Sequence, residues 1–127
     1  MGMRSGVLSI PQGTVVTANG TSTGLNGNNP TGVPYQNGLP VEAHDVLAID
    51  IAVSALNGTS VQFFYDRQGL DMVWYPVYSS GIMPAGTQVS ATLAGANSAS
   101  QEFGFIGRFR WQLAGTSATF SASITGK

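Results

Sequence analysis

The sequence predicts an all-β protein, an antiparallel two-sheet sandwich, on the basis of three observations. Hydrophobic and polar residues alternate with period two in several short runs, turn residues separate these runs, and no run has helical periodicity. The 127 residues fit one structural domain. About seven or eight strands without a crossover helix make a jelly roll the first choice. The alternative is an immunoglobulin-like sandwich, although the chain has no cysteine pair.

The chain divides after residue 40 into an extended N-terminal arm and a β-sandwich core. Residues 1–40 are dominated by Gly, Asn, Thr and Pro, apart from short strands predicted at residues 7–10 and 14–17. Residues 41–127 instead alternate turn signals with strand-like runs. We therefore predict an arm with short strands over residues 1–40 and a sandwich core over residues 41–127, within one structural domain.

Within the arm, residues 18–39 predict a long Gly/Asn-rich loop. A structureless loop of this length is usually either functional or disordered until it meets a partner. Plain disorder is one interpretation of this segment. The other is that it becomes ordered against a neighbouring subunit, with Tyr35 and Val33 as its anchors.

The first strand of the core is predicted at residues 47–53, where Leu, Ile and Val alternate with Ala and Asp. The pair Asn57-Gly58 follows, and the apolar run 61–65 comes after it. Because Asn-Gly tolerates the positive φ angles of a tight turn, the segment predicts a β-hairpin with its turn at Asn57-Gly58.

Three further elements are predicted in the middle of the core. Residues 66–69 predict a turn, and residues 72–78 predict a strand that Pro76 restricts to a sheet edge or a bulge. Residues 88–93 predict another short strand.

The clearest strand pattern lies between Glu102 and Thr125. Up to residue 113, odd positions carry large apolar residues and even positions are mostly polar. After a break at residues 114–117 the alternation resumes through residue 125. The pattern predicts a second hairpin, whose Phe/Trp/Leu face lies in the core. The large apolar residues are Phe103, Phe105, Phe109, Trp111 and Leu113.

The composition argues against several classes of protein. Charged residues make up only 9% of the chain, where about a quarter is usual. A net charge of -1 without a Lys/Arg cluster argues against nucleic acid as a partner. The apolar patch at residues 7–10 is far too short for a signal peptide or a membrane span, which predicts a soluble protein. A net charge near zero favours association, so we expect a permanent assembly.

The sequence contains no convincing catalytic or metal-binding set. The only histidine, His44, precedes Asp45, but no serine lies in a nucleophile elbow that could complete a triad. The lack of cysteine excludes a thiolate zinc site and a cysteine nucleophile. Asp66 and Asp71 bracket a predicted turn, where a structural role outweighs a calcium site or a catalytic carboxylate pair. We predict no catalytic residues, no metal and no cofactor.

Two groups of residues are candidates for an interface. Trp74, Tyr75 and Tyr78 cannot all point into one core, because successive strand residues face opposite sides. Such rings occur at interfaces and also stack on sugars, and the alternative is that they are core residues. Arg108 and Arg110 stand side by side on the polar face of the second hairpin, either solvated or bound to another chain. The candidate interface comprises Tyr35, Arg67, Trp74, Tyr75, Tyr78, Arg108 and Arg110.

The end of the chain resembles the closing strands of small structural proteins of tailed bacteriophages. The similar residues are 107–113, GRFRWQL, and 119–127, TFSASITGK, with a small turn between them. The opening residues 6–17 and the Gly/Asn-rich segment are similar in style. Within this group the chain is most similar to capsid decoration proteins, also called cement proteins.

The resemblance implies a compact β-sandwich or jelly-roll subunit that forms a homotrimer on the outer head surface and stabilises the capsid. Its partners would be its own copies and the major capsid protein. It would be soluble in the host cytoplasm before assembly and lie on the outer capsid surface of the virion afterwards.

Two other hypotheses remain open. The first is a carbohydrate-binding β-sandwich of a phage tail fibre or adhesin, which the rings of Trp74, Tyr75 and Tyr78 suggest, with a glycan as its partner. The second is a small enzyme whose activity depends on His44.

Overall fold

The computed structural model describes residues 5–22, 38–41, 44–94 and 106–127. The predicted anchors Tyr35 and Val33 lie outside these residues. The described residues form strands joined by turns, and every strand pair is antiparallel, which confirms the predicted all-β class. The strands are β1 (Ser5–Val16), β2 (Gly20–Thr21), β3 (Leu39–Pro40), β4 (Val46–Gln68), β5 (Trp74–Met83), β6 (Thr87–Ala94) and β7 (Ile106–Gly126).

Two long strands, β4 and β7, form the centre of one seven-stranded sheet. They pair with each other along almost their whole length, from Leu47 opposite Gly126 to Arg67 opposite Gly107. Strand β1 adds to the second half of β7, and β6 adds to the first half of β4. Strands β2 and β3 add to the first half of β7, and β5 adds to the second half of β4.

The sheet folds over on itself, so that its two halves pack face to face as two layers. Phe63 pairs with Trp111, whereas Phe120 pairs with Val53, which comes ten residues before Phe63 in β4. In a straight strand ten residues span about 33 Å. The ring centroids of Phe63 and Phe120 are nevertheless 4.8 Å apart. The predicted two-layer sandwich is therefore present, and its jelly-roll connectivity stays a prediction.

We name the two layers by their strands. The first layer contains β1, β6, residues 46–54 of β4 and residues 118–126 of β7. The second layer contains β2, β3, β5, residues 61–68 of β4 and residues 106–113 of β7. The core between them is centred on four rings, each of which contacts two of the others, with centroid separations of 4.8 to 6.3 Å. These rings belong to Phe63, Phe109, Trp111 and Phe120.

The fold-over occurs where Gly58 of β4 faces Gly115 of β7. Both glycines have positive φ angles, 152° and 154°. A Cβ atom on Gly58 would lie 2.5 Å from the Ala114 carbonyl oxygen, and one on Gly115 would lie 2.5 Å from the Asn57 carbonyl oxygen. Only glycine lets the two backbones approach this closely at these angles.

Both predicted hairpins are therefore wrong. Asn57-Gly58 and residues 114–117 lie inside the continuous strands β4 and β7, and they form the bend of the sheet rather than two turns. Register shifts flank the bend, as expected of β-bulges, which sharpen the local twist and bend a strand. A glycine inside a strand can indicate a bend of this kind, just as it can indicate a turn between two strands.

The bend changes which residues of β7 face the core. Phe109 and Trp111 are buried before it, at odd positions, whereas Phe120 and Ile124 are buried after it, at even positions. Strand β4 keeps its buried apolar side chains at odd positions on both sides. The register shifts leave β4 one residue longer than β7 across the bend, which produces this difference.

The N-terminal residues are integrated into the sheet. The two predicted short strands form one strand, β1, with register shifts between Gly6 and Leu8 and between Ile10 and Thr14. Leu8 and Ile10 are buried in the core. The division into an arm of residues 1–40 and a core of residues 41–127 stays a prediction.

The segment 18–22 is docked on β7 by side-chain and backbone hydrogen bonds. The indole Nε1–H of Trp111 donates to the Ala18 carbonyl oxygen at 3.0 Å. The backbone N–H of Leu113 donates to Asn19 Oδ1 at 2.7 Å, and that of Phe109 donates to Ser22 Oγ at 3.0 Å.

The other predicted strands are present in the structure, whereas one predicted turn is partly wrong. The alternation in residues 47–53 is confirmed, and Pro76 lies in β5 beside a register shift. The turn predicted at residues 66–69 is wrong for its first three residues, which belong to β4. The chain turns between Gly69 and Val73 instead.

Replacing either bend glycine with alanine should destabilise the fold. We expect Gly115→Ala or Gly58→Ala to lower the free energy of unfolding by about 2 kcal/mol or more, because the new Cβ collides with the opposite backbone. Gly6→Ala is the matched control, since a Cβ there meets nothing within 4 Å, and it should change stability by less than about 1 kcal/mol. Urea unfolding of the three variants checks this, and equal midpoints would contradict it.

Candidate functional site

The outer surface of the second layer carries a cluster of charged and aromatic side chains. Phe109 and Trp111 of β7 point into the core. Arg108 and Arg110 alternate with them along the strand and therefore point outward, because successive strand residues face opposite sides. Strand β4 supplies two members and β5 supplies one. We call this cluster the arginine face, and its members are Phe64, Asp66, Trp74, Arg108 and Arg110.

Asp66 organises the arginine face. Its carboxylate is only 1% exposed and accepts hydrogen bonds from both arginines. Arg108 donates from Nε at 3.0 Å and from Nη2 at 2.8 Å, both to Oδ2. Arg110 donates from Nε to Oδ2 at 2.9 Å and from Nη2 to Oδ1 at 3.1 Å. Charge-assisted hydrogen bonds of this kind fix the guanidinium planes as well as stabilising the buried charge.

Each guanidinium also lies over an aromatic ring. The Arg108 Cζ is 4.7 Å from the centroid of Trp74, and the Arg110 Cζ is 4.0 Å from that of Phe64. These distances are within the range of cation–π attraction. The arginine side chains remain 21% and 30% exposed. Each guanidinium is therefore held between a carboxylate and a ring while part of it still reaches the surface.

A β-bulge in β5 lies next to Asp66. Tyr65 pairs with Tyr78 and Asp66 pairs with Pro76, so β5 has an extra residue between these pairs. Tyr65 and Asp66 are both buried although they are adjacent in the strand. On the other side of β4, Asp66 is directly opposite Arg108. The sequence does not predict the ion pair between Asp66 and Arg108, because its local pattern predicts a turn at Asp66.

Arg67, Tyr75 and Asp71 form a second, more exposed group. Arg67 pairs with Tyr75, and both lie on the opposite face of β4 and β5 from Asp66 and Trp74, because successive strand residues face opposite sides. The Arg67 Cζ lies 5.4 Å from the centroid of the Tyr75 ring. The Tyr75 hydroxyl donates to Asp71 Oδ2, and the Val73 N–H donates to Asp71 Oδ1 at 3.1 Å. The Tyr75 hydrogen bond is the main reason that the pKa of Asp71 is lowered. The turn role expected of Asp71 is confirmed, because its side chain bonds to the backbone two residues further on.

This group holds a rigid loop with an exposed apolar tip. Within the loop, the Gly69 N–H donates to the Val73 carbonyl at 2.8 Å, and the Met72 N–H donates to the Gly69 carbonyl at 3.0 Å. Leu70 is 99% exposed and Met72 is 72% exposed. Met72 has a positive φ of 66°, which the hydrogen bonds of the loop stabilise. We call residues 69–73 the tip loop.

The structure separates the predicted interface residues into three groups. Arg108, Arg110 and Trp74 come together in the arginine face, whereas Arg67 and Tyr75 pair with each other on the opposite face of β4 and β5. Tyr78 is half-buried and packs against the core, and this burial raises its pKa. Tyr35 lies outside the described residues.

The outer surface of the first layer has a different character. It contains an open groove of about 320 Å³ across β1, β7, β4 and β6, lined mainly by small polar side chains. Its one charged lining residue is Asp50, which is exposed and accepts a hydrogen bond from Ser90 Oγ at 2.6 Å. The other polar lining residues are Ser9, Gln88, Ser121 and Ser123.

Among the described residues, no group of three or more His, Asp or Glu side chains could hold a metal ion. The ring of His44 packs against Gly126, where an added Cβ would lie 2.3 Å from His44 Cγ. The described part of the chain also contains no helix long and apolar enough to cross a membrane. The predicted lack of catalytic residues, metal and cofactor stays a prediction.

Comparison of the chain with protein-family models, with curated proteins and with solved structures finds no match.

Neutralising Asp66 should destabilise the protein strongly. We expect Asp66→Asn to lower the free energy of unfolding by about 3 kcal/mol, because two partly buried guanidinium groups lose their shared carboxylate. Asp45→Asn is the control, since Asp45 directly precedes β4, is exposed and makes no ion pair with the described residues. Thermal or urea unfolding checks this. A loss for Asp66→Asn no larger than that for Asp45→Asn would contradict it.

Proposed function

We propose that the chain is a non-enzymatic structural protein of a virion, a capsid decoration protein that binds the outer head surface as a homotrimer and stabilises it. The observation that carries the proposal is the prebuilt contact surface of the second layer. There the arginine face presents two guanidinium groups and two aromatic rings, and the tip loop presents exposed apolar side chains where β4 leads into β5.

The chemistry of this surface suits protein contacts. Arginine, aromatic residues and methionine are enriched at interfaces, and Trp74, Tyr75, Met72 and the arginine pair are of these types. Asp66 and the stacked rings already restrict the arginine side chains, so binding costs less side-chain entropy. Leu70 and Met72 expose apolar area that a partner would remove from water.

The remaining parts of the proposal follow the resemblance of the C-terminal residues to cement proteins. The partners are the chain's own copies and the major capsid protein, and the connectivity of the sandwich is that of a jelly roll. The protein is soluble in the host cytoplasm before assembly and then lies on the outer capsid surface. The low charge of the chain, 9% of residues, supports permanent association.

The proposal predicts a stable trimer that binds phage heads. Light scattering after gel filtration should give three times the chain mass of 13.2 kDa, because the proposed assembly contains three copies of the chain. Co-sedimentation with heads that lack decoration protein should deplete it from solution. A monomer that leaves heads unbound would contradict the proposal.

A carbohydrate-binding module of a tail fibre or adhesin is the second candidate. The observation that favours it is the indole of Trp74, which is half-buried at the surface and carries Arg108 on one face. A ring with one free face can stack on a sugar.

Glycan-array binding that is lost in Trp74→Ala would support the carbohydrate-binding module. Tyr78→Phe is the control, since Tyr78 packs against the core and keeps its ring in this variant. Wild-type protein that binds heads but no glycan would contradict this second candidate.

A further inference from the structure

We propose that the arginine face of one copy binds the Asp50 carboxylate of the next copy, so that successive contacts of this kind close the ring. This inference rests on the proposed homotrimer and names the contact that holds it together. The occupant of the first-layer groove is accordingly a second copy of this chain.

The arginine face has an unmatched positive charge. Two guanidinium groups share the single carboxylate of Asp66, which leaves one net positive charge in a partly buried place. The hydrogen bonds to Asp66 use Nε and Nη2 of each arginine. Within the described residues, Nη1 of both arginines has no hydrogen-bond partner, so each can still donate to an incoming carboxylate.

The first-layer groove has the complementary charge. Asp50 carries a negative charge, and no described cation makes an ion pair with it. Ser90 holds one of its oxygens, Oδ1, and thereby orients the carboxylate. Serines 9, 121 and 123 are small, so the groove keeps about 320 Å³ free for a guanidinium group and the ring beneath it.

The fold places these two surfaces on opposite sides of the molecule. The layers pack face to face through the aromatic core, so their outer surfaces point away from each other. Asp50 therefore cannot reach Arg108 or Arg110 of its own copy. A contact between two different patches is heterologous, and such contacts form closed rings when the rotation between copies allows it.

Removal of the Asp50 charge tests the contact. Asp50→Asn should weaken trimer formation by about 30-fold or more, because it leaves a desolvated arginine pair without its partner. Asp45→Asn is the matched control, since Asp45 is also an exposed aspartate of the first layer but lies outside the groove, and its trimer should be unchanged. The mass is measured by light scattering over a dilution series, with thermal melting to confirm that each variant is folded.

A mixing experiment tests the head-to-tail geometry directly. Asp50→Lys removes one side of the contact and Arg110→Gln weakens the other, while Arg108 keeps its bonds to Asp66 in the second variant. Each variant alone should be mainly monomeric. An equimolar mixture should form a 1:1 dimer and no trimer, because only one intact contact can form between the two variants.

The outcomes separate the inference from the proposed function. A folded Asp50→Asn or Asp50→Lys protein that remains a trimer overturns the inference, and the decoration function then stands on head binding alone. A wild-type protein that is monomeric and leaves heads unbound overturns the proposed function itself.

Discussion

The close approach of two backbones at Gly58 and Gly115 is the constraint on which the rest of the molecule depends. Without it β4 and β7 would continue as one extended ladder, and the rings of Phe63 and Phe120 could not touch. A single open sheet of these strands would expose the apolar face that the fold-over buries. The hydrophobic core is thus a consequence of two residues that have no side chain.

The bend also determines which side chains reach the outside. Strand β4 has one residue more than β7 across the bend, and this difference decides whether odd or even residues of β7 face the core on each side. Before the bend, Phe109 and Trp111 point inward and the arginines point outward. The uninterrupted pairing of β4 with β7 beyond the bend then places the Asp66 carboxylate opposite Arg108. Strand pairing, rather than a turn, therefore forms the candidate site.

The sequence predicts features that depend on neighbouring residues, such as which face of a strand is buried. It does not predict features that depend on which strands pair, such as the bend and the ion pairs of Asp66. Alternation in residues 47–53 and around Trp111 identified buried faces correctly, because period-two burial is a local property. An Asn-Gly pair such as Asn57-Gly58 has the same local sequence in a hairpin turn and in a bent strand. Only the pairing with the opposite strand distinguishes the two structures. The partner of Asp66 lies 42 residues away, beyond any local pattern.

The only two tryptophans of the chain occupy contrasting environments. Trp111 is 1% exposed and donates its indole N–H to Ala18, whereas Trp74 is half-buried under a guanidinium group at the surface. The wavelength of indole fluorescence depends on the polarity around the ring, and a partner bound at the arginine face would change the surroundings of Trp74. The molecule therefore contains two intrinsic optical probes, one that reports on the integrity of the core and one that reports on occupancy of the arginine face, without any added label.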